Sequence, residues 1–310
     1  QLEWYYEKWL TFPFTGEVKA GHAAASTQSY GEALFQQLFT ADALAEYKMA
    51  LRYEGGFGQM AFEIRGTPAF HALHWESLKD PQQARPFAVE CPFLRQNDNP
   101  PNIHLRPQPS PTLNILLVSA RPGGRRDVGY RTISRPLIEA LQNSRLRTRI
   151  DLVRPGTYKA LVKHLEASRG RHGDGFYHIA HFDLHGALLT YEQYQQLEPD
   201  APNPHFYKGY GQAKIEKYDG EKAFLSFNGA KEGEHDLVSD DTVAGLLASH
   251  QIPIAILNAC QSGKQVGASE TSLGSRLMAA GVQNALAMGY SVSVSAAELL
   301  MKTLYGQLLD

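Results

Sequence analysis

Cysteine is scarce: the 310 residues contain Cys91 and Cys260 and no others. A disulfide framework needs more cysteines at closer spacing, so the count predicts a reducing, cytoplasmic setting. Two isolated thiols also exclude a cysteine-rich structural zinc site. Any thiol chemistry must therefore pair one Cys with a different residue type. Charge of one sign is lacking too, with 30 Lys+Arg against 32 Asp+Glu and a formal net charge of −2. That balance excludes a strong electrostatic pull toward nucleic acid or an anionic membrane. No apolar run approaches the length of a membrane span, and no signal-like segment follows Gln1. Because the chain opens on Gln rather than Met, it reads as part of something longer. No fixed-period repeat, dinucleotide fingerprint or Walker A motif is present.

The apolar fraction is 43%, ordinary for a globular chain with enough length for one large or two modest cores. Residues 1–111 read as one domain. It has an aromatic opening (Trp4, Tyr5, Tyr6, Trp9), a helical pattern around Gly31–Phe39 with Leu34, Phe35 and Leu38 on one face, and apolar runs at Tyr47–Tyr53 and Met60–Ile64, the second a strand. The polar, proline-rich stretch Asp98–Pro111 carries a linker signal.

Residues 112–310 alternate between strand and helix. Strands are expected at Leu113–Ser119, Arg149–Val153, Phe176–Phe182, Phe224–Phe227, Ile252–Leu257 and Val282–Met288. Between them fall helices begun by Ser134 (inner face Leu137, Ile138, Leu141), at Tyr158–Ala167, begun by Ser239 (Val243, Leu246, Leu247), and begun by Ser269 or Thr271 (Leu273, Leu277, Met278). A last helix follows the capping box Ser295-x-x-Glu298, and Tyr191–Glu221 reads as a loop-rich insertion. Alternation of this kind predicts an α/β fold: a mostly parallel sheet with helices on both faces.

Ligands of such sheets bind outside the carboxyl ends of the strands. Two expected strands end in reactive residues. Phe176–Phe182 runs into Asp183-Leu184-His185-Gly186, and Ile252–Leu257 runs into Asn258-Ala259-Cys260-Gln261-Ser262-Gly263. If the strands are neighbours, their ends lie about 5 Å apart. An imidazole and a thiol then share one cleft across 75 positions of sequence. The thiolate is the nucleophile, and the imidazole handles its proton and that of the leaving amine. Backbone N–H groups of Gly186 and Cys260 are candidates for an oxyanion hole. A buried structural role for Cys260 and a polar loop role for His185 stand beside this reading. Cys91, in Glu90-Cys91-Pro92-Phe93, reads as a strand end with a structural role.

These segments resemble the CHAT peptidases, a branch of the caspase, metacaspase and separase clan. The resemblance is carried by His181-Phe182-Asp183-Leu184-His185-Gly186 and Leu257-Asn258-Ala259-Cys260-Gln261-Ser262-Gly263, with support from Ala280-Gly281-Val282, Ala287-Met288-Gly289-Tyr290-Ser291-Val292 and His74-Trp75-Glu76-Ser77-Leu78. It implies a caspase-like catalytic half (112–310), preceded by a smaller degenerate caspase-like α/β half (1–111). It also implies a His185–Cys260 dyad acting on a protein or peptide substrate without a cofactor. A regulatory sensor module or partner protein is expected outside this segment, and further residues after Asp310. Asn258 occupies the position that in related enzymes lines the primary specificity pocket; lacking charge, it does not suit a basic P1 residue. Arg121 resembles the caspase arginine that grips an acidic side chain. A neutral or acidic P1 residue follows, with a solvated turn as the plainer reading of Arg121.

Three rival readings remain open. His181, Asp183 and His185 alternate along one strand and could present three metal ligands. The arginine-rich turn Arg121–Gly129, with Arg125, Arg126, Arg131 and Arg135, could dock an acidic partner or nucleotide. The whole domain could also be a catalytically silent interaction module.

Overall fold

In this computed structural model the described residues are 4, 5, 9, 16–98, 104–124, 135, 137–139, 144–197, 215–231, 233–259, 273–288 and 294–309. They divide into two compact units, one ending at Asp98 and one beginning at His104.

The first unit holds helices α1 (Glu17–Leu38) and α2 (Ala41–Tyr53), strand β1 (Phe62–Gly66), the short helices α3 (Pro68–His71) and α4 (Phe87–Glu90), and strand β2 (Phe93–Asn97). β1 and β2 pair in parallel, Phe62 opposite Phe93. Leu34 and Phe35 of α1 meet Tyr47, Trp75, Leu78, Phe87 and Cys91 in an aromatic-rich core. The run read at 47–53 belongs to α2, and Leu38 is 38% exposed instead of facing inward. Gly31 lets α1 approach closely: a Cβ there would lie 1.8 Å from the Ser77 carbonyl oxygen. The segment His74–Leu78 thereby gains a structural role, since Trp75 and Leu78 are core residues and Trp75 Nε1–H donates to the Phe70 carbonyl at 2.7 Å.

The second unit is built on five parallel strands, β3 (Leu113–Ser119), β4 (Thr148–Val153), β5 (Ile179–Asp183), β9 (Ile254–Asn258) and β10 (Asn284–Ala287), in the order β10-β9-β5-β3-β4. β6 (His185–Thr190), β7 (Glu221–Asn228) and β8 (His235–Ser239) form a separate antiparallel sheet. Period-2 alternation distributes the apolar strand residues to two faces. Leu116, Val118, Ala180, Phe182, Ala255 and Leu257 meet helices α5 (Tyr158–His172), α7 (Asp240–Ser249) and α8 (Leu273–Ala279) together with the antiparallel sheet. Ile115, Leu117, Ile179 and Ile256 meet Leu137 and the last helix, α9 (Val294–Leu309). The remaining helix, α6 (Tyr191–Leu197), follows β6. The expected mostly parallel sheet with helices on both faces is therefore the observed architecture.

Several local expectations are corrected. β6 and β8 were not expected. A single residue separates the end of β5 from the start of β6, and Gly186, the oxyanion-hole candidate, sits inside β6 opposite Leu225. The start of the 191–221 insertion is helical. Of the inner face expected for the Ser134 helix, Leu137 is buried but Ile138 is 51% exposed; Ser134 and Leu141 lie outside the described residues, as do Ser269 and Thr271. α9 starts at Val294, one residue ahead of the expected cap Ser295, and turns Ala297, Met301, Tyr305 and Leu309 inward at a spacing of four, leaving Leu299 65% exposed. Cys91 precedes a strand instead of ending one. The proline-rich stretch is tied down after His104: Leu105 is buried, and the Gln108 side chain donates to the carbonyls of His172 and Asp174. Among the described residues no helix is long and apolar enough to cross a membrane.

Candidate active site

Counted in chain order, the five parallel strands run 2-1-3-4-5, so the winding reverses between β3 and β5. Beside that reversal, three polar residues end three neighbouring strands in matched register: Ser119 opposite Asp183, and Asp183 opposite Asn258. Each stands two residues beyond a member of the α9-facing row (Leu117, His181, Ile256), so alternation places all three on one face. Their side chains bond across the sheet. Ser119 Oγ–H donates to Asp183 Oδ2 at 3.0 Å, and Asn258 Nδ2 donates to Oδ1 at 3.2 Å.

Arg121, two residues past the end of β3, completes the group. Its Nη2 lies 2.6 Å from Asp183 Oδ2, with the two side chains only 5% and 4% exposed. Its Nη1 donates to the carbonyls of Ala120 and Asp183, each at 2.8 Å, and its backbone N–H donates to Asn228 Oδ1 at 2.8 Å. A guanidinium so enclosed is not a solvated turn residue. A buried charge is tolerated when paired and hydrogen-bonded, and this one meets both conditions.

The chain then leaves β5 through Leu184, which is buried and whose N–H donates to the Asn258 carbonyl at 3.4 Å. His185 follows at once, exposed, as the first residue of β6 opposite Ser226. The backbone that delivers His185 is thus bonded to the end of the strand that runs toward Cys260. Gly186 is half-buried in the same strand. Cys260 itself, with Gln261–Gly263 and Gly289–Val292, lies outside the described residues, as do Arg125, Arg126 and Arg131. The other thiol is enclosed: Cys91 is buried, its Sγ–H donates to the Phe87 carbonyl at 3.4 Å, and burial pushes its pKa up, away from nucleophilic use.

This pairing of a histidine-bearing strand end with the neighbouring strand that leads to a cysteine coincides with a family match. The CHAT domain model covers residues 28–310. The chain belongs to the CHAT domain family. CHAT domains are related to caspase-like cysteine peptidases, and the parallel sheet flanked by helices is consistent with that fold. No curated protein matches the sequence.

In this CHAT domain the metal alternative loses its geometric basis. His181 is fully buried, its Nδ1 2.6 Å from the Tyr305 hydroxyl and its ring stacked on that phenol, while burial lowers its pKa to about 4. Asp183 is committed to Arg121. His185 stands in a different sheet because the alternation breaks at Leu184. Among the described residues no group of three metal-binding side chains converges. Sequence reasoning named Asp183 only as a motif member and possible ligand and did not see its ties. The available signal was an acid closing an otherwise apolar strand of a doubly wound sheet, which demands a buried cationic partner.

Proposed function

We propose that this CHAT domain is a cysteine endopeptidase with Cys260 as nucleophile and His185 as general acid and base. The observation that carries the reading is the register of β5 and β9. Asp183 pairs with Asn258, and His185 and Cys260 each follow these hydrogen-bonded neighbours by two residues in the sequence. His185 accepts the Cys260 thiol proton, and the sulfur attacks the scissile carbonyl carbon. N–H groups of Gly186 and Cys260 hold the resulting oxyanion. The intermediate collapses to a thioester as the C–N bond breaks and His185 protonates the departing amine. Water, deprotonated by His185, then hydrolyses the thioester and restores the thiol. The substrate is a protein or peptide, and a sensor module or partner outside this segment switches the site on.

The substrate class follows from charge. Asn258 is neutral, which does not suit a Lys or Arg side chain; Arg121, buried and already paired with the Asp183 carboxylate, is not placed to grip an acidic one as its resemblance to the caspase arginine implied, so the reading narrows to an uncharged P1 residue. A randomised peptide library incubated with the protein and candidate partners tests both points. Cleavage abolished by Cys260→Ala and by His185→Ala is expected. Dominant cleavage after Lys or Arg defeats the P1 assignment. A thiol-directed peptidase probe that labels the native chain and the Cys260→Ala variant equally defeats the nucleophile and favours a silent interaction domain.

A further inference from the structure

We propose that Asp183 is the positioning residue of the dyad: one carboxylate ties the ends of β3, β5 and β9 together and so sets the span from which His185 and Cys260 depart. The proposal rests on the peptidase reading and adds to it a residue that touches neither substrate nor the reacting atoms.

Backbone ladders hold the three strands side by side, but each ladder ends at Ser119, Asp183 and Asn258. Beyond that edge the Ala120 N–H still donates to the Asp183 carbonyl at 3.1 Å, and the remaining order is carried mostly by side chains. Asp183 Oδ2 receives Ser119 Oγ–H and Arg121 Nη2–H, and Oδ1 receives Asn258 Nδ2–H. Arg121 returns the tie through Nη1 to the Asp183 carbonyl and reaches β7 through Asn228. Leu184 N–H closes the remaining gap to the Asn258 carbonyl. Charge-assisted bonds of this kind are about twice as strong as neutral ones, and the site is almost closed to water. Removing the carboxylate breaks the side-chain ties of all three ends at once and leaves only the contacts to backbone carbonyls, whereas removing Ser119 breaks one. Because a dyad tolerates about 0.5 Å of misplacement, the loss is expected to show at the His–Cys span in any variant that still folds.

The test measures coupling between the two dyad residues in the full chain, with no substrate needed. The rate of Cys260 alkylation by iodoacetamide is followed against pH, with the modified site identified by peptide mass spectrometry. An imidazolium beside the thiol favours the thiolate, so His185→Gln is expected to raise the alkylation midpoint by about one pH unit or more. In an Asp183→Ala background the same His185 substitution is expected to move it by less than about 0.3 unit, a non-additivity that reports on alignment. The stray charge of Arg121 cancels, because both members of that comparison carry it. If Asp183→Ala does not fold, the pair Asp183→Leu with Arg121→Met buries no unpaired charge and carries the same expectation. A His185 effect that persists undiminished in a folded Asp183 variant overturns the positioning role and leaves the peptidase reading standing. Absence of any His185 effect in the otherwise native chain, both alone and with the candidate partners present, defeats the peptidase reading, and the proposal falls with it.

Discussion

Asp183 and Asn258 occupy matching positions on adjacent parallel strands, and the asparagine amide donates across to the carboxylate over 3.2 Å. Parallel ladders space their backbone bonds evenly, so in-register side chains at strand ends meet without a turn to organise them. The arrangement converts two sequence segments 75 residues apart into one rigid edge. It also explains why the polar residues there cost little: each buried acceptor has a donor, and the single buried cation has its anion.

Breaking that balance from one side is predicted to be expensive. Arg121→Met leaves Asp183 buried and unpaired, and loss of one partner from such a pair costs about 3–5 kcal/mol. Adding Asp183→Leu is expected to recover most of the loss, since neither charge then remains. Urea unfolding of the two variants beside the native chain measures both values. Equal stability of the single variant and the native chain contradicts the buried pair.

Two glycines of α1 are predicted to answer oppositely to alanine. Nothing lies within 4 Å of a Cβ at exposed Gly21, so Gly21→Ala gains roughly 0.5–1 kcal/mol from helix propensity. At Gly31 the new Cβ meets the Ser77 carbonyl at 1.8 Å, backbone against backbone, and the overpacking costs roughly 1–3 kcal/mol or more. That outweighs any propensity gain. Thermal melting of the two variants distinguishes them by the sign of the shift in Tm.

The fold class was legible because strands such as Leu113–Ser119 are continuously apolar and regularly separated by helical patterns. His185 and Asn258 were legible as strand-end residues for the same reason. What escaped the sequence reading lay beyond its periodicities. The β5–β6 boundary is a single residue, Leu184, and no composition signal marks a chain that changes sheets without a turn. α9 offers leucines on several sides, and only packing against Ile115, Leu117 and Ile256 selects the Ala297–Met301–Tyr305–Leu309 stripe. The Arg121–Asp183 pair joins residues 62 apart; residue type named the candidates, but only strand order could join them.

Acid response is predicted to hide two opposing contributions. Burial holds the His181 imidazole down at about 4, against the stacked Tyr305 and partly offset by Asp183. Between about pH 4 and 6.5 the unfolded chain therefore binds a proton that the native one refuses, and stability rises with pH. Asp240 behaves inversely. Burial and neighbouring Asp241 push it up to about 6, against Lys222 and Arg276. Between about pH 4 and 6 the native chain retains a proton that the unfolded one has lost, and stability falls with pH. Near pH 5 the two slopes nearly cancel. Asp240→Asn is expected to expose a positive slope approaching about 1.4 kcal/mol per pH unit, and His181→Phe a negative one of similar size. Denaturation midpoints across pH 4.5–6 check the signs. Unchanged slopes in both variants refute the assignment.

Substituting Asn258→Asp puts a second carboxylate against Asp183, where the amide now donates at 3.2 Å. Arg121 balances only one of them, and like charges that close cannot both ionise without a penalty. A basic P1 side chain supplies the missing cation, so preference in the peptide library is expected to move toward Lys or Arg by roughly tenfold, about 1.4 kcal/mol of differential binding. The same strain has a signature that needs no substrate. Because the pair holds one proton more tightly than isolated acids do, stability of Asn258→Asp is lost as pH rises through that raised pKa and regained on acidification. A variant with native stability at neutral pH and an unaltered P1 profile would mean that residue 258 neither feels the Asp183 carboxylate nor faces the substrate.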